Sequence, residues 1–434
     1  MRFYGREKEI EILRKNREMS KNSGILTVIT GHKHIGKTAL IREFVMGGEF
    51  LYLCVSRRCE HLLCEELREI AKCDLGIELC DAPRFRDLFE QLLKYGEEKN
   101  FTFIIDEFQE FEKINSTVIS GIQSHWTNYK STSMVNLIIC GTASQLMTKI
   151  SRGHGGPLFS MADSRIDLGP FGPGVIKAIL MDHNPAFRQE DLLFLYTVAG
   201  GVPKYIGSLM DSGATTFDKM LDKIHSPSSP FLVDGETVLA SEFGTEYGTY
   251  FAILELIAMG KNTLGDINSS TRKESGTYLE NLEKKCFLIK RRKSLFSGEK
   301  SRGVRWQIPD NYLRFYFKFI SKNQPLIEFK RLDLLKQRIS DGYAQYSGSV
   351  LEDYFREKLA EEEDITNIGS YWDRKGQNEI DIIALNDIDM TATVVEVKMD
   401  PKKADLKGLA EKAETIYDLK EFKVEYKVLS LKDM

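Results

Sequence analysis

An α/β fold built on a parallel sheet is what the first 170 residues predict. Three observations predict it. Apolar runs at Ile25–Ile29, Phe101–Ile105 and Val135–Cys140 read as strands, and helical patterns separate them as crossover connections require. The first run leads into Gly31-His32-Lys33-His34-Ile35-Gly36-Lys37-Thr38, which fits G-x-x-x-x-G-K-[ST] at every fixed position. The second ends in Asp106-Glu107, two acids at the tip of a strand.

Each element has a chemical reading. Gly31 and Gly36 let the backbone curl so that its N–H groups face phosphate oxygens. The helix that begins near Ala39 adds its partial positive charge. The candidate nucleotide contacts therefore run from Gly31 through His32, Lys33, His34, Ile35, Gly36, Lys37 and Thr38 to Ala39. Lys37 would contact the β- and γ-phosphates, and the Thr38 hydroxyl would ligate Mg²⁺. Asp106 would hold the same Mg²⁺, directly or through water, while Glu107 would orient and activate the attacking water. The third strand ends at Gly141-Thr142-Ala143-Ser144, where Thr142 or Ser144 is placed to sense the γ-phosphate. Together these predict a P-loop NTPase sheet using ATP and Mg²⁺.

Bulk properties bound the rest. A chain of 434 residues, 42% hydrophobic and 29% charged, is long for one core. Its net charge of −4 leaves room only for a local nucleic-acid patch. No apolar run reaches the length of a membrane span and Met1-Arg2-Phe3-Tyr4 opens no secretory leader, so a cytoplasmic protein without a membrane partner is expected. The 7 cysteines form no C-x-x-C pair, which agrees with a reducing compartment.

Beyond the ATPase core at 1–170, the pattern divides further. Residues 171–235 read as a helical lid interrupted by Gly200-Gly201-Val202-Pro203. Residues 236–310 read as three helices and a β-hairpin, the pattern of a winged helix-turn-helix. Residues 311–342 are a helical connector, whose aromatic run Tyr312-Leu313-Arg314-Phe315-Tyr316-Phe317 is expected to pack in a core. Between Arg272 and Arg305, eleven Lys and Arg against four Glu make a local net of +7. Lys290-Arg291-Arg292-Lys293 begins the wing, and Lys300, Arg302 and Arg305 line its return. Such a patch attracts phosphates, so DNA is the expected partner. The same fold also serves as a protein-contact module with its charges in solvent.

Residues 343–434 carry a second constellation. A helix at Ser349–Leu359 bears Glu352. Two strands follow, Glu379–Ala384 and Thr393–Lys398. Side chains alternate along a strand, so Glu396 and Lys398 share a face, and Asp381 lies on a strand that can pair with theirs. This is the D…E-x-K layout of metal-dependent nucleases. Asp381 and Glu396 would bind Mg²⁺, Glu352 would complete the metal site, and Lys398 would position or polarise the water and stabilise developing charge.

Taken in order, these parts resemble the archaeal-type ATPases of the AAA+/STAND group, in which a winged helix and a restriction-endonuclease-like PD-(D/E)xK domain follow the ATPase. The resemblance rests on Phe3-Tyr4-Gly5-Arg6-Glu7, the phosphate loop, Ile105-Asp106-Glu107-Phe108, Gly200-Gly201-Val202-Pro203 and the Trp372–Lys398 segment. It implies that Tyr4, Gly5 and Arg6 pack near adenine and that Pro203 contacts the nucleotide. One departure stands out. The family's Gly-Arg pair after Pro-Leu-aromatic is absent, because Pro157-Leu158-Phe159 runs into Ser160-Met161-Ala162. An arginine finger contributes about 10³-fold or more to rate. Binding is therefore expected ahead of fast turnover, with Arg152 or Arg165 as the replacements. The resemblance also leaves a signalling switch with a non-cleaving nuclease fold, acting through an oligomer or a protein partner, as the alternative to an ATP-regulated nuclease.

Overall fold

The computed structural model describes residues 1–56, 58–142, 161–227, 229–243, 247–298, 303–362, 364–373 and 378–434, the side chains at 237–243 excepted. Its contacts divide the chain into two units, residues 2–169 and residues 170–434 with Met1.

The first unit is built on a five-stranded sheet of order β2-β3-β4-β1-β5. The strands are β1 (Ile25–Gly31), β2 (Phe50–Cys54), β3 (Phe101–Asp106), β4 (Val135–Thr142) and β5 (Ser164–Leu168). Every pairing is parallel. Strands β1 and β3 are buried along their whole length, as strands covered by helices on both faces must be. The edge strands β2 and β5 alternate between buried and more accessible residues. One face is closed by an aromatic core in which Phe85 and Phe111 approach to 4.7 Å between ring centroids. Register aligns Gly31 with Thr142 and Ile105 with Ile139. The carboxyl ends of β1, β3 and β4 thus form one edge, where open α/β sheets bind ligands.

The second unit opens with helices Pro173–His183, Gln189–Ala199, Pro203–Met210, Phe217–Ile224 and Pro230–Phe243. Helices Tyr247–Ala258, Leu264–Thr271 and Gly276–Lys284 follow. Next comes an antiparallel pair, β6 (Lys290–Arg292) and β7 (Arg305–Gln307). Tyr312, Phe315, Tyr316 and Phe317 are all buried. The C-terminal sheet has the order β11-β10-β9-β8. It comprises β8 (Asn367–Trp372), β9 (Glu379–Asn386), β10 (Thr391–Lys398) and β11 (Lys423–Ser430). Only the β10–β11 pairing is parallel, with helix Leu406–Glu414 as its crossover.

Two helices cross the boundaries expected at 235/236 and 342/343. Pro230 sits in the first turn of Pro230–Phe243, and within that helix the Tyr316 ring packs against Gly235, 2.5 Å from where a Cβ would stand. The helix expected at Ser349–Leu359 is the last part of a 29-residue helix, Leu332–Ala360. Among the described residues no helix is long and apolar enough to cross a membrane.

Candidate functional site

Two clusters of chemistry-bearing side chains stand out, one in each unit. In the first unit, β1 ends at Gly31 and the helix Lys37–Val45 begins six residues later. Gly36 adopts φ 94° and His34 φ 69°, the left-handed turns that curl the loop. A Cβ on Gly31 would stand 2.8 Å from both the Ile35 side chain and the Leu168 carbonyl, so only glycine fits. The buried Lys37 folds back over the loop, and its Nζ donates to the carbonyls of Gly31 (3.0 Å) and His32 (3.1 Å). His32, Lys33, Thr38 and Ala39 are exposed at the rim, His34 half-buried.

Asp106, 3% exposed, ends β3 beside this loop. Its Oδ1 accepts from the Glu107 N–H at 2.8 Å. Its Oδ2 accepts from the Thr38 hydroxyl at 3.3 Å and from the Tyr52 hydroxyl at 2.8 Å. Burial, and then the charge of Asp106, push the Tyr52 phenol well above its ordinary value, which keeps it a donor. Glu107 sits at φ 53°, a strained conformation for a non-glycine residue. Its carboxylate accepts from the Gln109 side chain and, at 3.5 Å, from Thr142 Oγ1. Gln109 Oε1 in turn accepts from the Thr142 N–H at 3.2 Å. Sequence reasoning missed Tyr52 and Gln109. Gln109 stands two residues after the Asp-Glu pair, which was the available signal.

Gly5 at φ 60° turns the chain, and buried Arg6 follows. Arg6 Nη2 donates to the carbonyls of Gly169 (2.6 Å) and Ile35 (3.4 Å), tying the N-terminal turn to the phosphate loop. The Arg2 guanidinium lies 4.9 Å from the Tyr4 ring centroid. Arg6 and Tyr4 are thus engaged by the protein itself. Pro203 belongs to the second unit, at the start of its own helix. Arg165 lies on β5, exposed. Ser144, Arg152 and Pro157–Ser160 lie outside the described residues.

In the second unit, antiparallel pairing of Val395 with Ile382 carries Asp381 to the end of β10 that bears Glu396 and Lys398. Asp381 Oδ2 accepts from the Val397 N–H at 2.8 Å. Lys398 Nζ lies 3.0 Å from Glu396 Oε1 and 3.9 Å from Asp381 Oδ2. Glu396 Oε2 accepts from the Asp405 N–H at 2.8 Å. Burial, then the charges of Asp381 and Asp353, push the Glu352 carboxyl up to about 8. Among the described residues no three His, Cys, Asp or Glu form a metal-ligating group, and the expected set of Glu352, Asp381 and Glu396 is linked by charge, with Asp381 acting on Glu352 and Glu396 on Asp381. Lys398 and backbone N–H groups hold both Glu396 oxygens and Asp381 Oδ2.

Asp353, beside Glu352, is buried against three arginines. Arg314 and Arg356 each approach it to 2.5 Å and Arg292 to 3.8 Å. Gln307 Nε2 donates to it at 2.8 Å. Burial alone would raise its pKa, but Arg314, Arg356 and Arg292 outweigh burial and hold it well below the usual carboxylate range. Arg292 also donates to Ser370 Oγ (2.7 Å), which donates to the Asp381 carbonyl (2.7 Å).

The basic patch expected to face DNA is partly consumed by such contacts. Arg292 joins Asp353 and Ser370, and Arg291 pairs with Glu283 at 2.9 Å. Arg305 pairs with Glu379 at 2.6 Å and stacks 4.4 Å from the Trp372 ring centroid. The segment after β6 lies along the outer edge of β8: the Leu295 N–H donates to the Ser370 carbonyl (2.8 Å), and the Trp372 N–H to Ser294 Oγ (2.9 Å). An uncovered sheet edge is costly, and this hairpin covers one. Arg272, Lys273, Lys284, Lys285, Lys290, Arg291 and Lys293 remain exposed, while Lys300 and Arg302 lie outside the described residues.

The sheet order and loop geometry define a P-loop NTPase fold. The chain belongs to the same family as the uncharacterized protein MJECL04 of Methanocaldococcus jannaschii, to which it is 30% identical over 94% of its own length and 90% of the relative's. Residues 316–409 match the family DUF234, described as archaea bacterial proteins of unknown function. Among solved structures, the Walker-type ATPase PABY2304 of Pyrococcus abyssi is similar at a TM-score of 0.53 and 19% identity, covering 73% of this chain and 96% of that one. The ORC2 protein of Aeropyrum pernix, solved as ADPNP-ADP complexes, is similar at 0.50 and 15% identity, covering 78% and 96%. At these identities the likeness is one of fold.

Proposed function

We propose that the chain is an ATP-binding, Mg²⁺-dependent ATPase switch whose second unit engages DNA. One observation carries the reading: Lys37 Nζ rests on the loop carbonyls of Gly31 and His32 while Thr38 meets Asp106 beside it. A lysine held by two carbonyls at the mouth of such a loop is poised to move onto phosphate oxygens. Thr38 and Asp106 offer adjacent hard oxygen donors, which suit Mg²⁺. When bound, that ion neutralises phosphate charge. Glu107, oriented by Gln109 and Thr142, takes the role of general base toward the attacking water. The Gly-Arg pair of the ATPases it resembles is absent from the sequence, so turnover is slow unless Arg152 or Arg165 supplies that charge. Glu107→Gln should retain ATP binding and lower hydrolysis by roughly 100-fold or more, read as single-turnover phosphate release. A variant with unchanged turnover would clear Glu107 of the role.

In this reading the second unit comprises a lid, a winged helix-turn-helix and a nuclease-like sheet, and DNA meets the exposed lysines and arginines between Arg272 and Lys293. For the acid cluster, recognition without cutting is the favoured role. Both Glu396 oxygens and one Asp381 oxygen already have partners, and among the described residues no three-carboxylate set is assembled. Mg²⁺-dependent nicking of supercoiled plasmid should accordingly be absent from both wild type and Lys398→Ala. Nicking by wild type that the variant loses would restore the nuclease reading and locate its site.

A further inference from the structure

We propose that two copies of the chain associate by antiparallel pairing of their β11 strands. β11 is the outer strand of the C-terminal sheet. It pairs with β10 in unbroken register from Thr391 opposite Lys423 to Lys398 opposite Ser430. On its other edge, residues 424–429 make no backbone hydrogen bond to any described residue. Soluble proteins blunt such edges with proline, bulges or charged side chains, lysine above all. β11 has no proline and no bulge, and its exposed face alternates Lys423, Glu425, Lys427.

That alternation is self-complementary in one orientation. With the twofold axis at Tyr426, Glu425 faces Lys427 of the second copy and Lys427 faces its Glu425. On the other face Val424 meets Val428 of the second copy, and the two Tyr426 rings meet at the axis. All these positions lie within the strand. A parallel in-register pairing would instead set lysine on lysine and glutamate on glutamate, which is repulsive. Val424, Tyr426 and Val428 are each only half-buried, so the pairing would also cover apolar surface beside Ile416 and Phe422. The Lys427–Glu425 ion pair within one copy, at 3.1 Å and with both side chains 45% or more exposed, is weak enough to exchange for the cross-strand pairs.

A single strand pair buries a small interface, so the dimer should be reversible at roughly micromolar concentrations. Sedimentation equilibrium of the full chain, up to about 100 µM, tests this. Wild type should show a monomer–dimer equilibrium. Glu425→Lys and Lys427→Glu each turn two attractions into repulsions, and each should weaken it about 10-fold. Mixed together, the two variants restore both attractions and should dimerise as wild type does. A wild type that stays monomeric overturns the proposal. So do single reversals that leave the equilibrium unchanged, and so does a mixture that fails to recover.

Discussion

Lys37→Ala should raise the dissociation constant for ATP by roughly 100-fold or more, measured by calorimetric titration. The side chain would supply charge-assisted hydrogen bonds to two phosphates, each worth about 1.5–3 kcal/mol, and a tenfold change in affinity is about 1.4 kcal/mol. Lys37 is buried against the Gly31 carbonyl, but His32 is exposed, so water can take over the second carbonyl and the fold should survive. Lys37→Arg separates charge from shape. Its planar fork cannot rest on the two carbonyls as the ammonium does, so it should recover only part of the affinity. Unchanged binding in the alanine variant would remove the loop from the nucleotide site.

The largest effect on stability is expected from Asp353→Asn. The native carboxylate faces Arg314 and Arg356 at 2.5 Å and Arg292 at 3.8 Å, in a site where both Arg314 and Asp353 are under 10% exposed. An amide cannot neutralise these cations, and stranding a buried charge costs roughly 3–5 kcal/mol. The sign with pH follows from the lowered pKa. Its contribution is fully present above the unfolded value of 3.8 and is lost only as pH falls through the lower folded value. The stability gap between wild type and variant should therefore be flat through neutral pH and close only in strong acid. In calorimetry of this two-unit chain, only one of two unfolding transitions should move. A loss under about 1 kcal/mol would mean that the arginines have other compensation.

The parts legible in the sequence were those written in linear spacing. The phosphate loop and the strand-end acids each fit within a dozen residues, the D…E-x-K set spans two neighbouring strands, and strand periodicity alone placed Glu396 and Lys398 on one face. The parts that were not legible depend on partners far apart in the chain. Nothing local marks Tyr52 as a donor to Asp106, or Asp353 as the meeting point of arginines at 292, 314 and 356. Charge composition likewise did not reveal that Arg305 meets Glu379, or that the segment at Leu295 lies along β8. The helix Leu332–Ala360 was read as two pieces, a connector ending at 342 and a helix at Ser349–Leu359, and it carries Gly342 and Gly348 between them. Gly342 is accommodated because the Phe319 ring packs where its side chain would stand, with its nearest atom 2.8 Å away.

The arginine cluster also fixes what can be separated from what. Cutting the chain before residue 343 would divide the helix Leu332–Ala360 and leave Asp353 with Arg356 alone, stripped of Arg292, Gln307 and Arg314. The covering segment of β8 would be lost in the same step. The C-terminal sheet is therefore not a portable module. Expressed from residue 343, it would lack the hairpin and helix residues that neutralise Asp353 and cover β8.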